Sequence, residues 1–291
     1  MEFLAGNRIR GTSAEKTGLT VIDTITKDTQ AIIQHGTAGY GSPDTFSSFT
    51  AGNRIRGTSA EKTQSVTLDG TPQSNSGTTA TSLSESITVG DHVSKALIVL
   101  VTQQSGSTTS VKVGSNSFTK LVITNGGSSG TGTQRTEIWY LLDGDITNNA
   151  SNQVDWVGSA GSRVSIGVYS LYNVDQSASG FVSSFAYGTA STTTGEVNSV
   201  VSGDFILDIL SANSSTQPVD TLTEGYNVLI STNRYAVSQY DASPSTDNDM
   251  FYSNVTGAEW AWSGARIKPI SKFTDGSIFY ETDTNKSYVL Y

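Results

Sequence analysis

The sequence predicts an all-β fold, a jelly-roll-like antiparallel β-sandwich, and three observations predict it. Charged residues make up only 15% of the 291 positions and hydrophobic ones 35%, whereas about a quarter of an ordinary globular chain is charged. Ser, Thr, Gly and Asn fill the difference, and these residues favour strands and turns over helices. Strand signals then recur at short, regular intervals with turn clusters between them, and helix-period windows are scarce. With 12 Tyr, 10 Phe and 4 Trp there is enough apolar bulk for a real core.

The first 63 residues are read as an N-terminal arm. Ala5 to Thr17 reads AGNRIRGTSAEKT, and Ala51 to Thr63 repeats it identically over thirteen positions. Two copies are too few for a stacked repeat architecture. Between them Leu19, Val21 and Ile25 alternate with polar residues. A helix-period window covers Asp23–Ile33, weakened by β-branched residues.

Residues 64–268 are read as the sandwich. Gln64–Ser84 is Ser/Thr/Gly-rich and reads as an exposed strand or linker. Ala96–Thr102 (ALIVLVT) is a continuous apolar run, as in a strand buried on both faces. Ser110–Ile123 reads as a hairpin turning at Gly114–Asn116. Further strands are predicted at Thr136–Leu142, Gln153–Val157, Arg163–Tyr172, Gly180–Tyr187, Asp204–Ser211, Tyr226–Ser231, Arg234–Tyr240 and Glu259–Ile267, with turn clusters at Gly126–Gly132 and Ala242–Asp249. Residues 269–291 close the chain as a hairpin, with strands Ser277–Glu281 and Ser287–Tyr291 around Thr282–Lys286.

Bulk chemistry narrows the function. A net charge of −9 with no basic block argues against nucleic-acid and anionic-membrane partners. With no Cys, disulfides, thiolate metal sites and cysteine nucleophiles are excluded. The opening MEFLAGNRIRG lacks the apolar core of a secretory signal, and no stretch approaches the length of a membrane span. Release in an assembled particle is the expected route outward.

Catalytic signals are weak. His35 lies in a Gly-rich loop, and His92 follows the Gly90–Asp91 turn. Neither has a nucleophile motif beside it. Glu137, Asp155, Asp204 and Asp208 are carboxylates in or beside apolar strands, where a glycosidase would need two opposed acids. The reading is non-enzymatic. Two loops carry oxygen ligands of the kind calcium prefers, Asp143 and Asp145 with Asn148 and Asn149, and Asp241 with Asp247, Asn248 and Asp249. Neither has EF-hand spacing, and ordinary turn chemistry is the competing reading. No other cofactor is expected. Trp260 and Trp262 share one strand face at period two, so they either plug the core or form a stacking platform for a cell-surface glycan. The N-x-S/T triplets at Asn149, Asn213, Asn254 and Asn285 are of the kind that chance supplies in a Ser/Thr-rich chain.

Two segments carry a resemblance. Gly57–Thr63 (GTSAEKT, repeated at Gly11–Thr17) and Asp275–Tyr291 (DGSIFYETDTNKSYVLY) resemble the two halves of a small β-module frequent in tailed-phage structural proteins. Thr58, Ala60, Glu61 and Lys62 match its first strand; Asp275, Gly276, Tyr280, Thr282, Asp283, Thr284, Lys286 and Tyr288 match its hairpin. The Asp-Gly turn and Trp that usually follow are absent. The central block is similar to a β-sandwich domain of viral and microbial surface proteins. The resemblance implies a sandwich inserted into a terminal module, on the surface of a virus particle as a capsid decoration, tail or fibre component. A glycan-binding adhesin or surface-filament subunit is the alternative, and a carbohydrate-active enzyme the third. Expected partners are further copies of the chain and other virion proteins. The expected assembly residues are Asn7, Arg8, Ile9 and Arg10 in one copy, Asn53, Arg54, Ile55 and Arg56 in the other, and Phe279, Tyr280 and Tyr288 in the hairpin. Two first halves face one second half, so either one copy contacts a neighbouring subunit or both pack within one.

Overall fold

The computed structural model describes residues 54–57, 64–147, 150–191, 193–244, 248–255, 259–270, 278–281 and 287–289. The chain divides into a unit of residues 64–270 and a smaller one of residues 1–63 with 271–291. The smaller unit contributes β1 (Arg54–Gly57), and the larger begins with β2 (Thr67–Leu68), β3 (Gln73–Val89), β4 (Ala96–Gln104), β5 (Thr108–Val113), β6 (Asn116–Ser117), β7 (Thr119–Asn125), β8 (Gln134–Leu142) and β9 (Ala150–Tyr172). It continues through β10 (Phe181–Gly188), β11 (Thr193–Val197), β12 (Phe205–Asn213), β13 (Thr223–Ser231), β14 (Arg234–Asp241), β15 (Asn248–Tyr252) and β16 (Glu259–Ile267). The smaller unit ends with β17 (Ile278–Glu281) and β18 (Ser287–Val289). The fold is an all-β antiparallel sandwich, as the sequence predicts.

The large unit is one strand plan executed twice. In the first half the sheet runs β7-β8-β4-β9-β3, using residues 163–171 of β9 and 73–77 of β3; in the second it runs β13-β14-β12-β16-β10. A ribbon accompanies each sheet: residues 82–89 of β3 pair with 150–157 of β9, whose other edge takes β5, and β11 pairs with β15. The order along the chain is also shared: sheet edge, ribbon, centre, opposite edge hairpin, ribbon, then the strand beside the centre. Registers agree closely. Ala96 lies opposite Leu171, as Phe205 lies opposite Ile267, and Thr119 lies opposite Tyr140, as Thr223 lies opposite Tyr240. In the first half edge and ribbon are one continuous bent strand, with register shifts in β3 at Gly77/Ala80 and Ala80/Ser82. In the second half they are separate strands.

Burial follows from this layering. Ala96, Ile98, Leu100, Ile138 and Leu171 meet Phe205, Leu207, Ile209, Ala265 and Ile267 between the two sheets. The opposite face of β4 (Leu97, Val99, Val101) packs with Val154 and Trp156 of its ribbon. The opposite face of β12 (Ile206, Leu210, Ala212) packs with Val197, Met250 and Tyr252. Both central strands are therefore covered on both faces, which is why each reads as an apolar run rather than an alternation. Each such Leu or Ile contributes about 1.5–3 kcal/mol on burial.

Several sequence-level boundaries shift. The stretch read as an exposed strand or linker belongs largely to the 17-residue β3. The two strands expected over 153–172 are one 23-residue strand. The hairpin at Gly114 forms, with φ +57° at that glycine, and Lys112 and Val113 pair with Ser117 and Asn116. After Phe118 the chain leaves β5 and pairs with β8 instead. The helix-period window Asp23–Ile33 lies outside the described residues.

Candidate functional site

β17 is the middle strand of a three-stranded sheet ordered β1-β17-β18. β1 runs parallel to it, with Arg54 opposite Ile278, Ile55 opposite Phe279, Arg56 opposite Tyr280 and Gly57 opposite Glu281. β18 runs antiparallel, with Val289 opposite Ile278, Tyr288 opposite Phe279 and Ser287 opposite Tyr280. Ile55, Phe279 and Tyr288 thus form one register row across the sheet, the central strand having both edges paired. Parallel strands cannot be joined by a tight turn and need a crossover; here the chain between them is residues 58–277, which include the whole unit of residues 64–270. Of the expected assembly residues, Arg54, Ile55, Arg56, Phe279, Tyr280 and Tyr288 come together in this sheet. Asn53 and the first copy's Asn7, Arg8, Ile9 and Arg10 lie outside the described residues.

The tryptophan pair belongs to the core. Trp262 is fully buried and Trp260 is 6% exposed, both packed with Val197, Met250 and Tyr252. The platform reading for Trp260 and Trp262 is therefore corrected. The two do share a strand face, but β11 and β15 supply the residues that cover it, and no sugar can stack there without displacing them.

Buried carboxylates are the strongest electrostatic feature of the large unit. Asp208, on the ribbon side of β12, accepts hydrogen bonds from Tyr252 Oη (2.5 Å), Trp262 Nε1 (2.6 Å), Gln239 Nε2 (3.1 Å) and Gln239 N (3.1 Å). Burial pushes its carboxyl up to about 7 against the pull of those donors. Glu137, on the opposite outer face of the paired sheets, accepts from Arg135 Nε (2.7 Å) and Trp139 Nε1 (2.8 Å), with Lys120 Nζ 3.9 Å away. Asp204 is fully buried, accepts from Val201 N (2.9 Å) and lies 3.5 Å from Arg266 Nε; burial raises its carboxyl too. Asp155 accepts from Ser84 Oγ (2.6 Å) and Gln153 Nε2 (2.8 Å). Glu137 and Asp208 are separated by both central sheets, so they do not flank a common substrate bond. Sequence reasoning noticed these acids but not their role as hydrogen-bond hubs. The one available signal was a carboxylate inside the otherwise apolar run Phe205–Leu210.

Asp143 is held by Lys95 Nζ and by the Ser94 N–H (2.8 Å). The neighbouring Asp145 is in the same 3-10 turn, and its backbone carbonyl accepts from Asn116 Nδ2 (3.1 Å). Asp249 lies in β15 opposite Glu196, and Asp247 lies outside the described residues. Among the described residues no group of three or more His, Asp or Glu is placed to hold a metal. His92 stacks on Tyr172 with ring centroids 3.9 Å apart and sits 3.4 Å from Asp69; His35 lies outside the described residues. No helix among the described residues is long and apolar enough to cross a membrane. Comparison with known proteins finds no matching family model, no matching curated protein and no matching solved structure.

Proposed function

We propose that the chain is a non-enzymatic structural protein of a virus particle, displayed on its surface and assembled through its terminal β-segments. The observation that carries this reading is the parallel pairing of Arg54–Gly57 with Ile278–Glu281. It sets the residues that lead into the GTSAEKT segment beside the hairpin that resembles the other half of the tailed-phage module, with the residues of the sandwich between them in the chain; Thr58–Thr63 lie outside the described residues. A sandwich with a packed inter-sheet core suits display, since its outward faces and loops tolerate variation without loss of the core. The terminal sheet supplies backbone pairing, a general means of strand-mediated docking. Asp208 and Glu137 support a structural role, because both oxygens of each are occupied by fixed donors. The glycan-binding alternative loses its platform residues to the core.

The test uses an antibody raised against the full chain and particles released from cells that express its gene. Labelling of intact, unpermeabilised particles is the expected result. Retention of the protein in cells, with none on purified particles, would reject the reading.

A further inference from the structure

The duplicated peptide is the feature that neither the sandwich nor its buried acids account for. Its second copy supplies β1, whose partner is the edge of the hairpin strand β17. The first copy is identical over thirteen positions. Arg8, Ile9, Arg10 and Gly11 therefore reproduce residue for residue the strand that the hairpin already accepts. Any seat that takes Arg54–Gly57 in that register takes Arg8–Gly11 with the same backbone pairing and the same rows. There are two donors and one acceptor per chain.

Resting on the assembly reading above, we infer that the hairpin β17–β18 is a strand-exchange acceptor, and that Arg8–Gly11 of one chain seat on the hairpin of a second copy of this chain. The register is Arg8 opposite Ile278, Ile9 opposite Phe279, Arg10 opposite Tyr280 and Gly11 opposite Glu281. Exchange displaces the resident Arg54–Gly57 and leaves the number of paired strands unchanged, as in domain swapping. Its outcome is governed by effective concentration rather than by new interactions. Residues 12–53 separate the two donors, a tether that fully extended spans on the order of 140 Å. That reach covers an adjacent subunit in a packed array, where the local concentration of neighbouring hairpins is highest. In dilute solution the resident strand keeps the seat.

The chain has no cysteine, so single-cysteine variants give an unambiguous test. Full-length Ile9→Cys chains are mixed with full-length, size-tagged Phe279→Cys chains and oxidised under mild conditions. A disulfide between the two is intermolecular by construction. Heterodimers should form in a yield that rises with protein concentration, at least fivefold above an off-register pairing of Ile9→Cys with Tyr280→Cys. Adding Ile55→Pro to the Phe279→Cys chain removes a backbone N–H from the resident strand and should raise the yield further, because the two copies compete for one seat. A heterodimer yield no higher than off-register, or one indifferent to Ile55→Pro, overturns the exchange. Should Ile55→Pro misfold, a fluorescent AGNRIRGTSAEKT peptide added to the unmodified chain provides the second measurement. Concentration-dependent anisotropy above that of a scrambled peptide is expected, and none contradicts the inference. A chain that labels particle surfaces but gives no cross-link keeps its surface assignment and loses only the exchange.

Discussion

The two halves of the sandwich share a strand order and most of their registers, yet they handle a buried carboxylate in opposite ways. In the first half Glu137 is met by cations: Arg135 bonds it directly and Lys120 approaches within 3.9 Å while lying 4.6 Å over the Trp139 ring. Both cations remain partly exposed, so the charge is balanced and partly hydrated. In the second half Asp208 has only neutral donors, from Tyr252, Trp262 and Gln239, and is completely buried. A common topology therefore fixes neither where an acid is buried nor how its charge is compensated. The charge itself is the second half's liability.

The largest expected effect tests whether the four donors on Asp208 hold the second ribbon to its sheet. Asp208→Ala leaves the Trp262 and Gln239 donors buried without that acceptor and Tyr252 Oη with only the Val237 carbonyl at 3.4 Å, at about 1–3 kcal/mol for each lost partner, and should cost about 4 kcal/mol in total. The matching position in the first half is Val99, which faces its ribbon core without polar partners. Val99→Ala should cost about 2 kcal/mol, the transfer and cavity terms alone. Urea midpoints of the two variants measure the difference, and equal losses would remove the special role of Asp208.

Next in size is the response to pH. The folded-state pKa of Asp208 is raised from 3.8 to about 7, chiefly by burial. Between those values the folded chain holds a proton that the unfolded chain has released. This contribution therefore favours folding most below about pH 4, declines as pH rises toward 7, and is level above it. Its ceiling is on the order of 4 kcal/mol. Asp204, raised by burial, and Asp220, raised by burial and then by Glu224, act in the same direction and also belong to the second half. Asp208→Asn should flatten this slope in urea titrations between pH 4 and 8. An unchanged slope would place the response elsewhere.

A smaller effect is expected in the first half. Glu137→Gln keeps an acceptor for Trp139 Nε1 but strands the charge of Arg135, which is 18% exposed on its side chain and can turn toward water. The loss should be about 1–2 kcal/mol, below that at Asp208, because a hydrated cation is cheaper to leave unpaired than a set of buried donors. Thermal denaturation at one fixed pH suffices to rank the two.

What could be read from the sequence divides along the same lines. The central strands were legible because ALIVLVT and FILDILS must be buried on both faces to be stable at all. The second ribbon was not. Thr193–Val197 (TTGEV) is a five-residue strand with little apolar content, and Asn248–Tyr252, also of five residues, begins inside a turn-rich cluster. Missing them left the fate of Trp260 and Trp262 open between core and platform, since the covering layer decides it. In the first half Gln73–Ser84 looked like an exposed strand or linker because its burial is marginal until Ile87 and Val89. The repeated strand plan itself left no matching letters: Val99 and Asp208 occupy the same place. At the termini the motif halves were visible as residues, but a parallel pairing across more than two hundred positions has no local signal.

The smallest effect separates the ribbons themselves. The first ribbon aligns eight residue pairs, Ser82–Val89 with Ala150–Val157, and β5 pairs with the other edge of the latter strand. The second aligns five, Thr193–Val197 with Asn248–Tyr252. Opening the first must break pairing on both edges of residues 154–157 and bend a strand that continues without interruption into the central sheet. Opening the second breaks five pairs and the Tyr252–Asp208 bond. The free energy of local opening grows with the backbone pairing and buried apolar surface that a segment must give up at once. Amides of β11 and β15 should therefore exchange about tenfold faster than those of 82–89 and 150–157, after correction for intrinsic rates, a difference of about 1.4 kcal/mol. Raising pH from 5 to 8 should widen the gap, because ionised Asp208 destabilises only the second ribbon's seat. Equal protection in the two ribbons would mean that each opens only with the whole sandwich, and that continuity between ribbon and sheet contributes nothing of its own.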